Sequence, residues 1–205
     1  MSPALMLRLS RLVAGLFLCG FGISLILRSQ LGLAPWDVLT HGLTRATGLS
    51  FGLLTNLIGA CVLLLWWPLR QKPGLGTVLN VLLIGPSAQF GLWLLPDLAQ
   101  PLLQATAYAA GLCLFALGSG LYIGARFGPG PRDGLMTGLH ARFGWPIWAA
   151  RTGIESLALL GGWLLGGTVG LGTLGFALLI GPMVQRTLRW CDTARPPAAA
   201  HPLAR

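Results

Sequence analysis

The chain has 205 residues, of which 54% are hydrophobic and only 9% are charged, and its mean hydropathy is +0.73. Soluble domains carry about 25% charged residues, so this composition excludes a water-soluble globular domain and indicates an integral membrane protein. The net charge is +9. Because the cations stand between apolar stretches, they indicate membrane topology rather than nucleic-acid binding.

The apolar stretches predict six membrane spans and two shorter helices. In chain order the first half holds span A at about 5–27, short helix B at Pro35–Gly48, span C at about 51–69 and span D at about 75–95. The second half holds span A′ at about 102–123, short helix B′ at about 131–143, span C′ at about 146–165 and span D′ at about 171–188. Helices B and B′ are too short and too polar to cross a ~30 Å core, which takes about 20 apolar residues. Each is predicted to be a broken or re-entrant helix.

The two halves repeat each other at an offset of 96 residues without a gap. Roughly a third of the aligned positions are identical, which is more than shared hydrophobicity produces. The prediction is one transmembrane domain over 1–190, with repeat one at about 5–96 and repeat two at about 101–190. The Pro/Ala-rich segment 191–205 is predicted to be a disordered cytoplasmic tail.

The positions of the cations predict that the repeats are inverted. If B and B′ do not cross, each half has three spans, and the halves lie in opposite orientations. With the N-terminus in the cytoplasm, Arg28 and Arg45 are the only two of the 14 cations outside. This strong positive-inside bias predicts that both termini lie in the cytoplasm.

The most polar stretch between two spans is GPGPRDGLMTGL at 128–139, and a divergent copy, GLAPWDVLTHGL, stands at 32–43. Glycine and proline interrupt helices, so both boxes and the Gly-Pro pairs within spans D and D′ are predicted helix breaks. The residues assigned to these breaks are Gly32, Pro35, Gly128, Gly130, Pro131, Pro86 and Pro182. GPGPRDG lacks the GK[ST] ending of a phosphate-binding P-loop, which excludes that mode of nucleotide binding.

Asp37 and Asp133 are the leading candidate site residues, and each stands two residues after a proline at a predicted helix start. A carboxylate there stabilises the helix N-terminus by typically ~0.5–2 kcal/mol, which is the purely structural interpretation. The functional interpretation is that inverted halves bring both carboxylates to one cavity near the membrane midplane, where they coordinate a coupling ion or orient a substrate. The sequence leaves both interpretations open.

Five more polar residues are candidates for the same site. Arg132 replaces Trp36 of the other copy and can hold an anion or set topology. Arg151 and Glu155 lie four apart on one helical face of span C′, so they can pair with each other or contact a substrate. Gln89 and Gln185, three residues after the in-span prolines, can satisfy local polar groups or reach a ligand.

Metal, thiol and nucleophile chemistry have no support in the sequence. The four cysteines show no CxxC spacing, and His41 and His140 have no metal-ligand spacing. No Ser/His/Asp or Cys/His arrangement is present, so we predict no enzyme, no cofactor and no metal. The aromatic side chains interpreted as interfacial anchors are Trp66, Trp67, Trp145 and Trp148.

The chain resembles the YczE/YyaS/YitT group of bacterial multi-pass membrane proteins. The resemblance rests on LGLAPWDVL, GPGPRDGLMTGL, the segment from Arg151 to Glu155, GGTVGLGT and the final GPMVQ, and it covers the chain from Leu12 to Arg189. It implies a plasma-membrane protein and supplies no substrate.

The sequence therefore predicts an all-α polytopic membrane helix bundle whose partner is the lipid bilayer. The leading function is secondary transport of a small solute, with an anionic substrate as one option, by alternating access between inverted repeats. The alternative is a non-transporting membrane scaffold or regulator that supports a partner enzyme. Nucleic-acid binding is not expected, and the sequence does not indicate an oligomeric state.

Overall fold

The computed structural model describes residues 2–192, which form helices and no strands. The all-α class is confirmed. The helices in chain order are α1 (Pro3–Ser29), α2 (Pro35–Thr47), α3 (Phe51–Leu64), α4 (Leu75–Leu94), α5 (Pro101–Gly124), α6 (Pro131–Phe143), α7 (Ile147–Leu164) and α8 (Leu171–Cys191). Since α8 includes Cys191, it extends one residue into the predicted tail, and residues 193–205 lie outside the described part.

Length and apolar composition alone identify four of these helices, α1, α4, α5 and α8, as able to cross a membrane. Helices α2 and α3, which meet at a bend of 120°, make five if they count as one broken span. Six spans were predicted, and the difference lies in spans C and C′. Span C was placed at about 51–69, but α3 ends at Leu64 because Pro68 lacks a backbone donor and restricts Trp67 before it. Helix α7, the predicted span C′, carries two charged residues, Arg151 and Glu155.

The predicted breaks have two different outcomes. Pro35 and Pro131 occupy the first helical position of α2 and α6, where a missing N–H costs nothing. Gly32 and Gly128 have φ angles of 126° and 122°, a conformation that side chains other than glycine rarely adopt, and each turns the chain just before its short helix. Pro86 and Pro182 do not break a helix, because α4 and α8 continue through them.

Helices α1 and α5 pack side by side in opposite directions and form the centre of the bundle. The Arg8 guanidinium donates to the Ala125 carbonyl at 3.0 Å and 3.1 Å, Gly15 lies beside Gly118, and Gly22 lies beside Gly111. Small residues permit close backbone approach between helices in lipid. We call the end of the bundle with Arg8 the Arg8 end, and the opposite end, where α1 finishes at Arg28 and Ser29, the Arg28 end.

The remaining helices pack around this pair, but the two halves of the chain differ. Helix α4 packs on α1 and α8 on α5. Helix α3 packs on α4, whereas α7 packs on α2 and, within residues 2–192, has at most a marginal contact with α8. The α2–α7 contact is close because it joins Gly42 to the Gly162 carbonyl. In the corresponding α3–α6 contact, Gly134 meets the Trp66 ring instead.

The α1–α5 interface supplies a stability prediction. A Cβ atom at Gly22 would lie 2.8 Å from the Gly111 carbonyl oxygen, and this backbone atom cannot move aside without separating the helices. We expect Gly22→Val to lower the free energy of unfolding by about 1–3 kcal/mol, measured by thermal unfolding of the detergent-purified protein. Gly153→Val is the matched control, because a Cβ there meets no atom within 4 Å. Equal melting temperatures for the two variants would contradict the assigned interface.

Candidate functional site

The starts of α2 and α6 are held in place by helices from the opposite half of the chain. The Gly172 N–H at the start of α8 donates to the Leu31 carbonyl at 2.8 Å, and the Gly76 N–H at the start of α4 donates to the Phe127 carbonyl at 2.8 Å. These two hydrogen bonds are related by the 96-residue offset. The unwound segments before α2 and α6 therefore have fixed positions, although they contain no helix.

Asp37, in the first turn of α2, is 2% exposed. Its Oδ1 has no hydrogen-bond partner among the described residues and lies 3.9 Å from Nη2 of Arg132, in the first turn of α6. That separation is longer than the 2.7–2.9 Å of a direct charge-assisted hydrogen bond. Asp37 and Arg132 thus face each other as opposite charges without a hydrogen bond between these atoms.

Trp36 packs against the Arg132 side of the Asp37–Arg132 pair. The Arg132 guanidinium lies 4.9 Å from the Trp36 ring centroid, within the range of a cation–π interaction. The Trp36 indole N–H is buried and has no acceptor among residues 2–192. A buried donor and a buried acceptor, Trp36 Nε1 and Asp37 Oδ1, are therefore unsatisfied beside one cation, and unsatisfied buried groups cost about 1–3 kcal/mol each.

Asp133 has a different environment, although it corresponds to Asp37 in the repeat. Asp133 is exposed, and its carboxylate interacts with the Tyr122 hydroxyl and with the charges of Arg132 and Arg151. A Cβ on Gly130 would lie 3.2 Å from both the Asp133 carboxylate and the Tyr122 hydroxyl. Glycine at that position therefore leaves room for the two polar groups.

The structural interpretation of the two aspartates as helix caps has limited support. The N-cap residues are Ala34 and Gly130, and neither short helix has a side-chain cap hydrogen bond. Each carboxylate still lies in the first turn, where it opposes the positive end of the helix dipole.

Arg151 and Glu155 pair with each other on α7, Nε to Oε1 at 3.0 Å. Glu155 also lies close enough to interact with the charge of Arg132. The structure thus brings five of the seven candidate residues into one electrostatically connected group, which we call the charged cluster: Asp37, Arg132, Asp133, Arg151 and Glu155.

The two glutamines lie outside the charged cluster. The Gln89 side chain accepts a hydrogen bond from the Gly52 N–H at 3.1 Å, which fastens the start of α3 to α4. Gln185 lines a cavity of about 300 Å³ together with Leu188, Arg189 and Asp192. A larger cavity of about 670 Å³ lies at the Arg28 end. Neither cavity includes Asp37 or Asp133, but His41, one helical turn after Asp37, lines the larger one.

Sequence reasoning did not assign Tyr122, Asn80 or Trp66 to this region. Asn80 lies near Gly130 with Tyr122 and Asp133. Trp66 was interpreted as an interfacial anchor, which is wrong, since it is 2% exposed and its indole N–H donates to the Pro131 carbonyl at 3.0 Å. All three replace a different residue type in the other copy of the repeat, namely Ile26, Phe176 and Gly162. Departures from the repeat were the signal that could have identified them.

No group of three or more His, Cys, Asp or Glu side chains within residues 2–192 could hold a metal ion. The side chains of the charged cluster can form ion pairs and hydrogen bonds and can exchange protons.

Bacterial proteins of similar sequence match the chain over most of its length. An uncharacterized protein of Haemophilus influenzae is 38% identical over 177 residues, which cover 86% of this chain and 81% of that protein. The uncharacterized membrane protein YczE of Bacillus subtilis is 34% identical over 190 residues, which cover 92% and 88%. The uncharacterized protein YyaS of the same organism is 29% identical over 164 residues, which cover 78% and 82%. No solved structure matches the chain.

The resemblance to YczE and YyaS is confirmed by these identities, and the relative named as a membrane protein agrees with the apolar helices. Residues 6–189 also match a family of unknown function, DUF6198. The chain is an integral membrane protein that belongs to the DUF6198 family.

Proposed function

We propose that this protein is a secondary transporter of a small solute that works by alternating access. The observation that carries the proposal is the buried Asp37 carboxylate, which lies 3.9 Å from Arg132 with one oxygen unsatisfied. Ionisable groups inside a membrane protein are costly and usually mark substrate or ion pathways. In many transporters the site is formed where discontinuous helices meet, and here the first turns of α2 and α6 meet at this pair.

An inverted arrangement of the halves supports alternating access. Helices α1 and α5 are equivalent in the repeat and antiparallel in space, because Arg8 meets Ala125 while Gly22 meets Gly111. The same repeat relation exchanges the two hydrogen bonds that hold the unwound segments, from Gly172 to Leu31 and from Gly76 to Phe127. Together with the positive-inside bias, this arrangement supports an orientation in the bacterial inner membrane with the Arg8 end in the cytoplasm and the Arg28 end outside.

The unequal packing of the halves supports two exchangeable states. Gly85 of α4 packs against Gly52 and Asn56 of α3, whereas its counterpart Gly181 meets nothing within 4 Å. Gln89 fastens α3 to α4, while its counterpart Gln185 lines a cavity. In the proposed cycle α7 moves onto α8 as α3 leaves α4, which exchanges the closed and open ends.

In this proposal the residues of the charged cluster have distinct roles. Asp37 exchanges a proton or binds a coupling cation, and Arg132 neutralises it when the site is empty. Asp133, which is exposed, takes the equivalent role from the cytoplasmic side. Arg151 and Glu155 hold α7 near Arg132 electrostatically, so that movement of α7 is coupled to the charge state of the site.

Uptake by proteoliposomes tests the proposal. Liposomes with the purified full-length protein are incubated with a mixture of small metabolites, and the accumulated solutes are identified by mass spectrometry against protein-free liposomes. We expect at least one solute to enter, and Asp37→Asn to lower its rate at least about tenfold, since one lost charge-assisted interaction costs about 1.5–3 kcal/mol. Asp192→Asn is the matched control, because its ion pair with Arg126 lies outside the charged cluster and, as a pair at the surface, contributes about 0–1 kcal/mol.

Absence of protein-dependent uptake, with Asp37→Asn and Asp133→Asn altering only the melting temperature, would contradict transport. That outcome would favour the scaffold or regulator that supports a partner enzyme.

Cysteine labelling tests the orientation. In a background without the four native cysteines, Thr47→Cys and Thr168→Cys at the Arg28 end are expected to react with a membrane-impermeant maleimide in intact cells. Gln71→Cys, in the connection between α3 and α4, is expected to react only after the cells are lysed. Reversed labelling would show that the Arg8 end faces outward.

Cross-linking tests the exchange of packing. Asn56→Cys/Leu82→Cys joins α3 to α4 where the Asn56 side chain donates to the Leu82 carbonyl. Thr152→Cys/Leu178→Cys is the equivalent pair on α7 and α8, which the structure leaves apart. A disulfide requires Cα atoms within about 4.4–6.8 Å. We expect both pairs to form in membranes under mild oxidation and each to block uptake. A quantitative α3–α4 bond with no α7–α8 bond under any condition would indicate one fixed arrangement.

A further inference from the structure

The larger cavity, at the Arg28 end, has features of a binding site that is separate from the charged cluster. Its volume is about 670 Å³, within the 300–1,000 Å³ of small-molecule sites and far above the ~30 Å³ of a water molecule. It lies among the ends of α1, α2 and α4, the start of α3 and the connection that precedes α8. We propose that this cavity binds a small organic anion, one that carries a carboxylate or phosphate group, through Arg28, Arg45 and His41.

The two arginines are the first reason for an anion. Arg28 and Arg45, the two cations that the charge pattern places outside, both line this cavity, and no other Lys or Arg within residues 2–192 does. The Arg45 guanidinium donates to the Gly166 carbonyl at 2.9 Å. Arg28 donates to Asp97 and to the Leu92 carbonyl, and its Nε is buried without a partner in the described structure. A planar guanidinium group can bind a carboxylate or a phosphate through two parallel hydrogen bonds, so two arginines suit an anion of either kind.

His41 adds a third donor. The backbone N–H of Thr168 donates to Nδ1 of His41 at 3.3 Å. Because a backbone N–H can only donate, Nδ1 must be the acceptor, and the proton of the neutral imidazole resides on Nε2. The imidazole of His41 therefore offers a donor and no free acceptor to the cavity that it lines.

The acceptors that line the cavity do not balance these donors. Asp97 is the only carboxylate in the lining within residues 2–192, and its side chain is 80% exposed on the connection after α4. An exposed ion pair contributes about 0–1 kcal/mol, so Arg28 can exchange Asp97 for a bound anion at small cost. Gln30 and Gln89, also in the lining, provide amide groups for the polar remainder of the ligand.

The lining of the cavity includes no residue of the charged cluster. Phe51, which lines the cavity, belongs to a buried apolar group with Ile23 and Ala88. The inference therefore concerns binding at the Arg28 end, and it holds whether or not the protein transports its ligand.

Equilibrium binding to the full-length protein in lipid nanodiscs tests the inference. The probes are succinate for a carboxylate and glycerol 3-phosphate for a phosphate, with succinamide and glycerol as neutral analogues, and affinity is measured by isothermal titration calorimetry. We expect saturable binding of at least one anion, at least about tenfold tighter than its neutral analogue, because charged hydrogen bonds contribute about 1.5–3 kcal/mol. The preferred anion distinguishes the two ligand classes.

Variants locate the binding. Arg45→Gln is expected to weaken binding at least about tenfold, and Arg186→Gln, an exposed arginine on α8 outside the cavity, is expected to leave it within about twofold. Asp97→Asn removes the carboxylate that competes for Arg28 and is expected to tighten binding, a gain that misfolding cannot mimic. Equal affinity for anions and neutral analogues, an unchanged affinity in Arg45→Gln, or binding lost in Asp37→Asn but not in Arg45→Gln would overturn the assignment to this cavity.

Discussion

The bundle depends on backbone hydrogen bonds that cross between its halves. Inside a membrane an unpaired carbonyl costs several kcal/mol, so an unwound segment persists only if other groups satisfy it. The segments before α2 and α6 meet this condition because the starts of α8 and α4 donate to Leu31 and Phe127. Thr77 adds a hydrogen bond from its hydroxyl to the Pro129 carbonyl at 2.8 Å. Each half therefore supplies the backbone donor that satisfies the unwound segment of the other half.

The polar chemistry arises where the repeat is broken, on a scaffold that the repeat builds. Asp37 and Asp133 are equivalent by sequence, yet their neighbours differ in kind. Asp37 adjoins Val38, which belongs to a buried apolar cluster with Ile26 and Phe176, whereas Asp133 has Tyr122 and Asn80, their repeat counterparts, close by. One carboxylate is therefore shielded and the other accessible.

Much of the fold could be predicted from local sequence features. Apolar length and the prolines at the first positions of α2 and α6 indicated most of the helix bounds, since these features act over a few residues. The pairing of Arg151 with Glu155 was also accessible, because it depends on a spacing of four. The meeting of the two short helices followed only as a hypothesis from the inverted repeat, and the pairing of Asp37 with Arg132 was not predicted.

The rest could not be predicted, because it depends on which surfaces meet. Spans C and C′ align without a gap, but α3 packs on α4 while α7 packs on α2, and no single residue determines that choice. Trp66 and Trp67 are adjacent and chemically alike, but one is buried against Pro131 and the other is 89% exposed. The cavity at the Arg28 end is assembled from residues of both halves, so spacing along the chain did not reveal it.

The hydrogen bond from Gly172 to Leu31 also has a consequence for biogenesis. Leu31 leaves the ribosome early, but its donor stands at the start of the last helix. During synthesis the unwound segment before α2 therefore lacks this hydrogen bond until almost the whole chain has been inserted. Contacts between such distant residues form slowly. An amphipathic helix such as α2 can lie at the lipid surface during that time. The nascent protein becomes complete only when α8 arrives.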